Sequence, residues 1–115
     1  MPAKVVSRSG TRLEEQAALM LRACGLPKFE REYQYGVPGR KFRGDFCWPK
    51  QRVALEVQGG VYDRGAHGRA HGITGDYERL AEIQLAGWIV ILASPPMIRS
   101  TAAAAFVKRA LEMRS

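Results

Sequence analysis

The chain has 115 residues, 46% of them apolar, with 18 Lys and Arg against 11 Asp and Glu for a formal charge of +7. That length sustains one hydrophobic core but not two, and no apolar run approaches the roughly 20 residues of a membrane span. So basic a balance favours a nucleic-acid partner over an acidic protein or a membrane surface. Met1-Pro2-Ala3-Lys4 lacks the apolar stretch of an export signal, so Cys24 and Cys47 are expected as buried, reduced thiols in the cytoplasm.

Residues 1–10 read as a flexible basic lead-in. A first helix is predicted from Thr11 to Cys24, with Leu13, Ala17, Met20, Leu21 and Cys24 at helical spacing and Gly25 and Pro27 ending it. A strand follows over Phe29–Tyr35, closed by the turn Gly36-Val37-Pro38-Gly39. A hairpin comes next, Phe42–Trp48 and Val53–Gln58 joined by Pro49-Lys50-Gln51-Arg52. Residues 59–75 hold many of the glycines and both histidines, a composition that predicts a functional loop. A second helix is expected over Asp76–Ala86 with Tyr77, Leu80, Ile83 and Leu85 on or near its buried side, capped by Gly87. Trp88–Ala93 is a near-continuous apolar run, the pattern of a strand buried on both faces. After Pro95-Pro96, a last helix covers Thr101–Met113. This order predicts an α/β fold: three strands in an antiparallel meander, then a helical right-handed crossover placing a fourth strand parallel to one of them.

The hairpin carries the chemistry. If it is symmetric about Lys50-Gln51, Phe46 pairs with Leu55 and Asp45 with Glu56. Directly opposed side chains have Cβ atoms roughly 4.5–5.5 Å apart, where like charges destabilise. A divalent cation such as Mg²⁺, which favours carboxylate oxygen, would remove the repulsion. The alternative is an exposed sheet face bearing solvated charges. In the metal reading the Val57 carbonyl adds a ligand. Gln58, two residues beyond Glu56 on the same face, orients a water that it is too weak a base to deprotonate. Such a centre hydrolyses phosphodiesters by activating water and stabilising the phosphorane.

Asp45, ten intervening residues and Glu56-Val57-Gln58, after a helix carrying Glu14, resemble the PD-(D/E)XK nuclease superfamily. The likeness spans residues 11–95 and includes Arg43-Gly44-Asp45-Phe46-Cys47-Trp48-Pro49, Ala54-Leu55-Glu56-Val57-Gln58-Gly59-Gly60 and Asp76-x-x-Arg79 before Leu85-Ala86-Gly87-Trp88-Ile89-Val90. Within the superfamily, the chain is most similar to small phage-type endonucleases related to very-short-patch repair nucleases and Holliday-junction resolvases. The resemblance implies a restriction-endonuclease-like αβββαβ core plus a C-terminal helix, forming one nuclease domain over residues 11–115. It further implies Mg²⁺, with Mn²⁺ as substitute, on Asp45 and Glu56, and a metal-shell role for Glu14. Two positions depart from the family pattern: Gly44 stands where proline is common, and Gln58 replaces the expected lysine, as in some restriction-type members.

Structural readings stand beside these roles. Thr11-x-x-Glu14 is also a capping box. His67 and His71 have the spacing of a zinc pair, but Gly65, Gly68 and Gly72 argue against the helix such a pair needs. Asp76 and Arg79 are spaced as a surface ion pair. Arg43, Gly59, Gly60, Arg64, His67, Arg69, His71 and Arg79 are the expected nucleic-acid contacts, directed at phosphate and therefore tolerant of sequence. The expectation is a Mg²⁺-dependent endonuclease of branched or distorted DNA, a homodimer with two sites, in a bacterium or phage-infected cell. It has no membrane or small-molecule partner. The alternatives are a monomeric nicking or mismatch-type nuclease and a nuclease-fold binding module without catalysis.

Overall fold

The computed structural model describes residues 12–59, the backbone of 69–74, and residues 75–115. In chain order the elements are α1 (Arg12–Ala23), β1 (Glu30–Gln34), β2 (Arg43–Trp48), β3 (Val53–Val57), α2 (Arg69–Leu85), β4 (Ile89–Ala93), α3 (Pro95–Arg99) and α4 (Ala102–Met113). The strands form one sheet in the order β1-β2-β3-β4. The first two pairings are antiparallel and β3–β4 is parallel, so the fold is α/β with a small mixed sheet.

Strand alternation sorts the core onto two faces. Phe46, Trp48, Val53 and Leu55 meet the small residues Ala17 and Ala18 of α1 and Ala103, Ala104 and Val107 of α4. Cys47 and Ala54 point the other way, into a cluster with Tyr35, Val37, Ile83 and Trp88. Phe42 packs with this second cluster, not with Phe46 and Trp48. It precedes β2, so the strand's alternation does not extend to it. Each tryptophan buries its ring and satisfies its indole N–H, Trp48 on the Pro27 carbonyl and Trp88 on the Tyr35 carbonyl, both at 3.0 Å.

Several expectations are corrected. Residues 69–75 belong to α2, so Arg69 and His71 are helical and Gly72 does not break the helix. An interior glycine costs only about 1 kcal/mol relative to alanine, a penalty a 17-residue helix absorbs. Ile83 is the buried anchor of α2, whereas Tyr77 and Leu85 are largely exposed. β4 lies at a sheet edge and is only partly covered, so its apolar run is not buried on both faces. Cys24 lies past the end of α1 and is exposed; Cys47 is buried as expected. The short α3 was not anticipated from Pro95-Pro96. Ser94 caps it by accepting the Met97 N–H, and proline occupies its first positions, where a missing N–H costs nothing. Among the described residues, no helix is long and apolar enough to cross a membrane.

Candidate metal centre

Part of the expected hairpin register is present, with Trp48 paired to Val53, Cys47 to Ala54 and Phe46 to Leu55, but the expected pair of Asp45 with Glu56 does not form. There the pairing of β2 with β3 ends, while β3 continues beside β4 as far as Val57–Ala93. At the opening between the two strands, Asp45 Oδ2 accepts the Val57 N–H at 2.7 Å. A side-chain carboxylate thus takes a place that a main-chain carbonyl fills in a continuing ladder.

β1 brings a second acid to this fork. Arg31 pairs with Phe46 and Tyr33 with Gly44, which leaves Glu32 opposite Asp45. Glu32 has φ 54, a left-handed conformation that costs a non-glycine residue about 1–2 kcal/mol. Glu14, in the first turn of α1, supplies the third acid. Ligand oxygens of Glu14, Glu32 and Asp45 all lie within 4.8 Å of one another. Burial pushes the Asp45 carboxyl up to about 7, and the charges of Glu14, Glu56 and Glu32 add to the rise against the opposing Val57 N–H. Arg31 reaches the edge of the cluster, 3.1 Å from Glu15 and 3.9 Å from Glu14.

Glu56 lies beside this trio but is held differently. It is the one buried charged residue described, and both its oxygens have donors. Arg79 reaches from α2 with Nη1 to Oε1 at 3.0 Å and Nη2 to Oε2 at 2.9 Å, a bidentate pair. The Tyr35 hydroxyl donates to Oε2 as well. Arg79 Nη2 also bonds the Arg43 carbonyl at 3.0 Å, and the guanidinium stacks over the Phe42 ring. Arg79 therefore engages a buried carboxylate and not chiefly Asp76. Burial alone would lower the Arg79 pKa, but the hydrogen bonds and charge of Glu56 raise it overall. Burial, then the charge of Glu56, raises Tyr35 and holds it as a phenol. The same two causes, in the same order, push the Cys47 thiol up to about 12.

Gly44 has a steric reason to be glycine. A Cβ there would sit 2.6 Å from Cys47 Sγ and 2.7 Å from Tyr35 Cζ, so the missing side chain is what lets Tyr35 reach Glu56. Gly59 is likewise packed: its Cβ would fall 2.7 Å from Leu13 Cδ2. Gln58 is half-buried at the end of β3 and donates its N–H to the Ala93 carbonyl at 2.9 Å. Val57 meets Asp45 through its N–H. Arg43 is exposed at the start of β2. Gly60, Arg64, His67 and Thr11, the residue expected to cap α1, lie outside the described residues.

The fork thus gathers Asp45 and Glu14, both anticipated, with Glu32, which was not. Glu56 is adjacent, but its carboxylate is neutralised by Arg79. The signal for Glu32 was present in the sequence. The β1–β2 register is symmetric about Pro38-Gly39, so the symmetry argument used for the second hairpin, applied to the first, sets Glu32 against Asp45. Three clustered carboxylates are hard oxygen donors, and a divalent cation would offset both their mutual repulsion and the burial of Asp45. The residues present therefore fit Mg²⁺ or Mn²⁺.

No protein-family model and no solved structure matches the chain. Over 85 residues it is 31% identical to an uncharacterized protein of Mycobacterium tuberculosis, and equally to its counterpart from a second strain of that organism. The match covers 73% of this chain and 30% of each relative, so the chain spans about a third of the length of the curated relatives it matches.

Proposed function

We propose that the chain is a divalent-metal-dependent endonuclease of DNA, of the PD-(D/E)XK type. The observation that carries the reading is the acidic fork: in a chain of formal charge +7, Glu14, Glu32 and Asp45 converge where β2 leaves β3. The element order supports it, since helix, three strands, helix and strand is the compact core the sequence resembles.

Mg²⁺ or Mn²⁺ bound at the fork would supply the charge that stabilises a phosphorane and the acidity that activates water. Asp45, Glu14 and Glu32 are the oxygen donors to hand, with Glu56 next to them. The Val57 N–H fixes the Asp45 carboxylate and thereby the point at which the strands part. Gln58 lies just beyond β3, two residues after Glu56, and would orient the attacking water through its amide. Arg43 and Arg79 stand beside the fork, and Arg69 and His71 lie on the first turn of α2. Basic and hydrogen-bonding residues of this kind contact phosphates and discriminate DNA shape more than sequence. The substrate is branched or distorted DNA in the cytoplasm, cut by a homodimer whose two sites act on two strands.

A second reading has its own support. Gln58 in place of lysine and the Arg79 clamp on Glu56 both favour a nuclease-fold module that binds DNA without cutting it. Purified protein incubated with a four-way junction, a nicked duplex and a linear duplex, in Mg²⁺ or EDTA, separates the two. Metal-dependent cutting that disappears in Asp45→Asn supports the enzyme, with paired incisions at the branch marking the dimer and single nicks a monomer. Tight binding without cutting in any metal refutes the nuclease.

A further inference from the structure

Glu56 sits in an environment a lone carboxylate does not tolerate. Its side chain is 8% exposed and Asp45 lies close enough to feel its charge. A buried charge needs a partner with matched geometry, or it gives up its charge. α2 supplies that partner from 23 residues away, with two guanidinium nitrogens on two carboxylate oxygens. Among the described residues, Arg79 is thus the cation most firmly seated beside the fork, and it occupies the carboxylate that the sequence pattern assigns to a metal.

Three features make this seating exchangeable. The Arg79 side chain is 26% exposed against 8% for Glu56, so solvent reaches the arginine more readily than the carboxylate it pairs with. Its other anchors, the Arg43 carbonyl and the Phe42 ring, are uncharged and do not depend on Glu56. Oε2 carries a second donor, the Tyr35 hydroxyl, so Glu56 keeps a hydrogen bond when Arg79 lets go, and Oε1, which Arg79 Nη1 bonds, is freed.

We propose that Arg79 is a built-in stand-in for the metal: it neutralises Glu56 in the resting protein and, when the fork takes up a divalent cation, passes to a phosphate of the DNA. This rests on the nuclease reading and assigns Arg79 a place in it. A planar guanidinium released next to the site is well matched to a phosphodiester oxygen pair. Metal uptake and DNA binding then strengthen each other, because one event creates the partner the other needs. Tyr35 is the positioning residue that keeps Glu56 aimed through the exchange.

The test uses the intact wild-type chain and MgCl₂ alone, followed by ¹⁵N NMR of the arginine guanidinium groups, with Arg79→Lys to assign the signal. A bidentate pair slows guanidinium rotation and resolves the Arg79 Nη resonances. Saturating Mg²⁺ is expected to merge them while the Val57 N–H, bonded to Asp45, shifts. If Val57 shifts but the Arg79 signals stay resolved, Mg²⁺ binds without the exchange and only this proposal is overturned. If neither responds, the nuclease reading falls with it. Affinities give an independent readout. Arg79→Met is expected to bind Mg²⁺ roughly tenfold more tightly and Glu56→Gln roughly tenfold more weakly. Arg79→Met is also expected to reduce the salt dependence of DNA binding in Mg²⁺ by about one phosphate contact. Unchanged Mg²⁺ affinity in both variants, or an unchanged salt slope, refutes the stand-in role.

Discussion

Replacing Asp45 by asparagine should stabilise the metal-free protein at neutral and alkaline pH while removing its function. The Asp45 carboxyl is raised from an ordinary 3.8 to about 7, first by burial and then by Glu14, Glu56 and Glu32. At about 1.36 kcal/mol per pKa unit, holding it ionised in the folded state costs at most roughly 4 kcal/mol. Partial exposure and relaxation of the cluster reduce this to about 1–3 kcal/mol. The sign follows from proton linkage. Between pH 4 and 7 the folded state binds more protons at this position than the unfolded state, so stability falls as pH rises through that window and levels off above it. Asparagine keeps an oxygen for the Val57 N–H and has no charge to bury. The assay is urea unfolding of wild type and Asp45→Asn in EDTA at pH 5 and pH 8. Comparing the two proteins cancels the titrating groups that do not interact with Asp45, leaving Asp45 and the acids coupled to it. The variant should gain on the wild type by about 1–3 kcal/mol between the two pH values. Saturating Mg²⁺ should reverse the order, since a ligand at a hundred times its Kd adds about 2.7 kcal/mol to the protein that binds it. A variant that is less stable than wild type at pH 8 in EDTA, or a difference independent of pH, would refute the electrostatic argument.

Glu32→Gly should relieve the left-handed backbone at φ 54 and raise stability by about 1 kcal/mol while weakening Mg²⁺ binding, read by thermal unfolding with and without the ion. Gly44→Ala forces a Cβ against the Tyr35 ring and should cost about 1–3 kcal/mol in urea unfolding. It should also free Tyr35 from Glu56, visible as a fall in the phenol pKa by ultraviolet titration. A thiol reagent at pH 8 should label exposed Cys24 rapidly and leave Cys47 untouched until the chain unfolds, because burial and Glu56 hold Cys47 near 12.

The sheet was legible because its strands announce themselves in two ways. Phe46, Trp48, Val53 and Leu55 alternate cleanly, and a symmetric turn fixes the partner of each. The same arithmetic located Asp45 and Glu56 on adjacent strands. It missed that the ladder ends one pair earlier, because strand divergence depends on what Asp45 bonds, not on residue type. Symmetry about Pro38-Gly39 sets Glu32 against Asp45, but its positive φ leaves no mark in a run such as Glu-Arg-Glu-Tyr-Gln. Arg79 was noted, but the 23 residues separating it from Glu56 put their pairing beyond local pattern, and Asp76 offered a nearer partner. The N-terminal half of α2 was misread because glycine frequency was given more weight than helix length. Gly44 departs from the family pattern, and the nearness of the Tyr35 ring requires it.

The most direct measurement is anomalous scattering from crystals of the protein grown with Mn²⁺. An ion peak at coordination distance from Asp45, shared with Glu14, Glu32 or Glu56, is the predicted result. A fork left empty at saturating Mn²⁺, or an ion bound only elsewhere on the surface, would contradict the assignment of a metal-dependent nuclease.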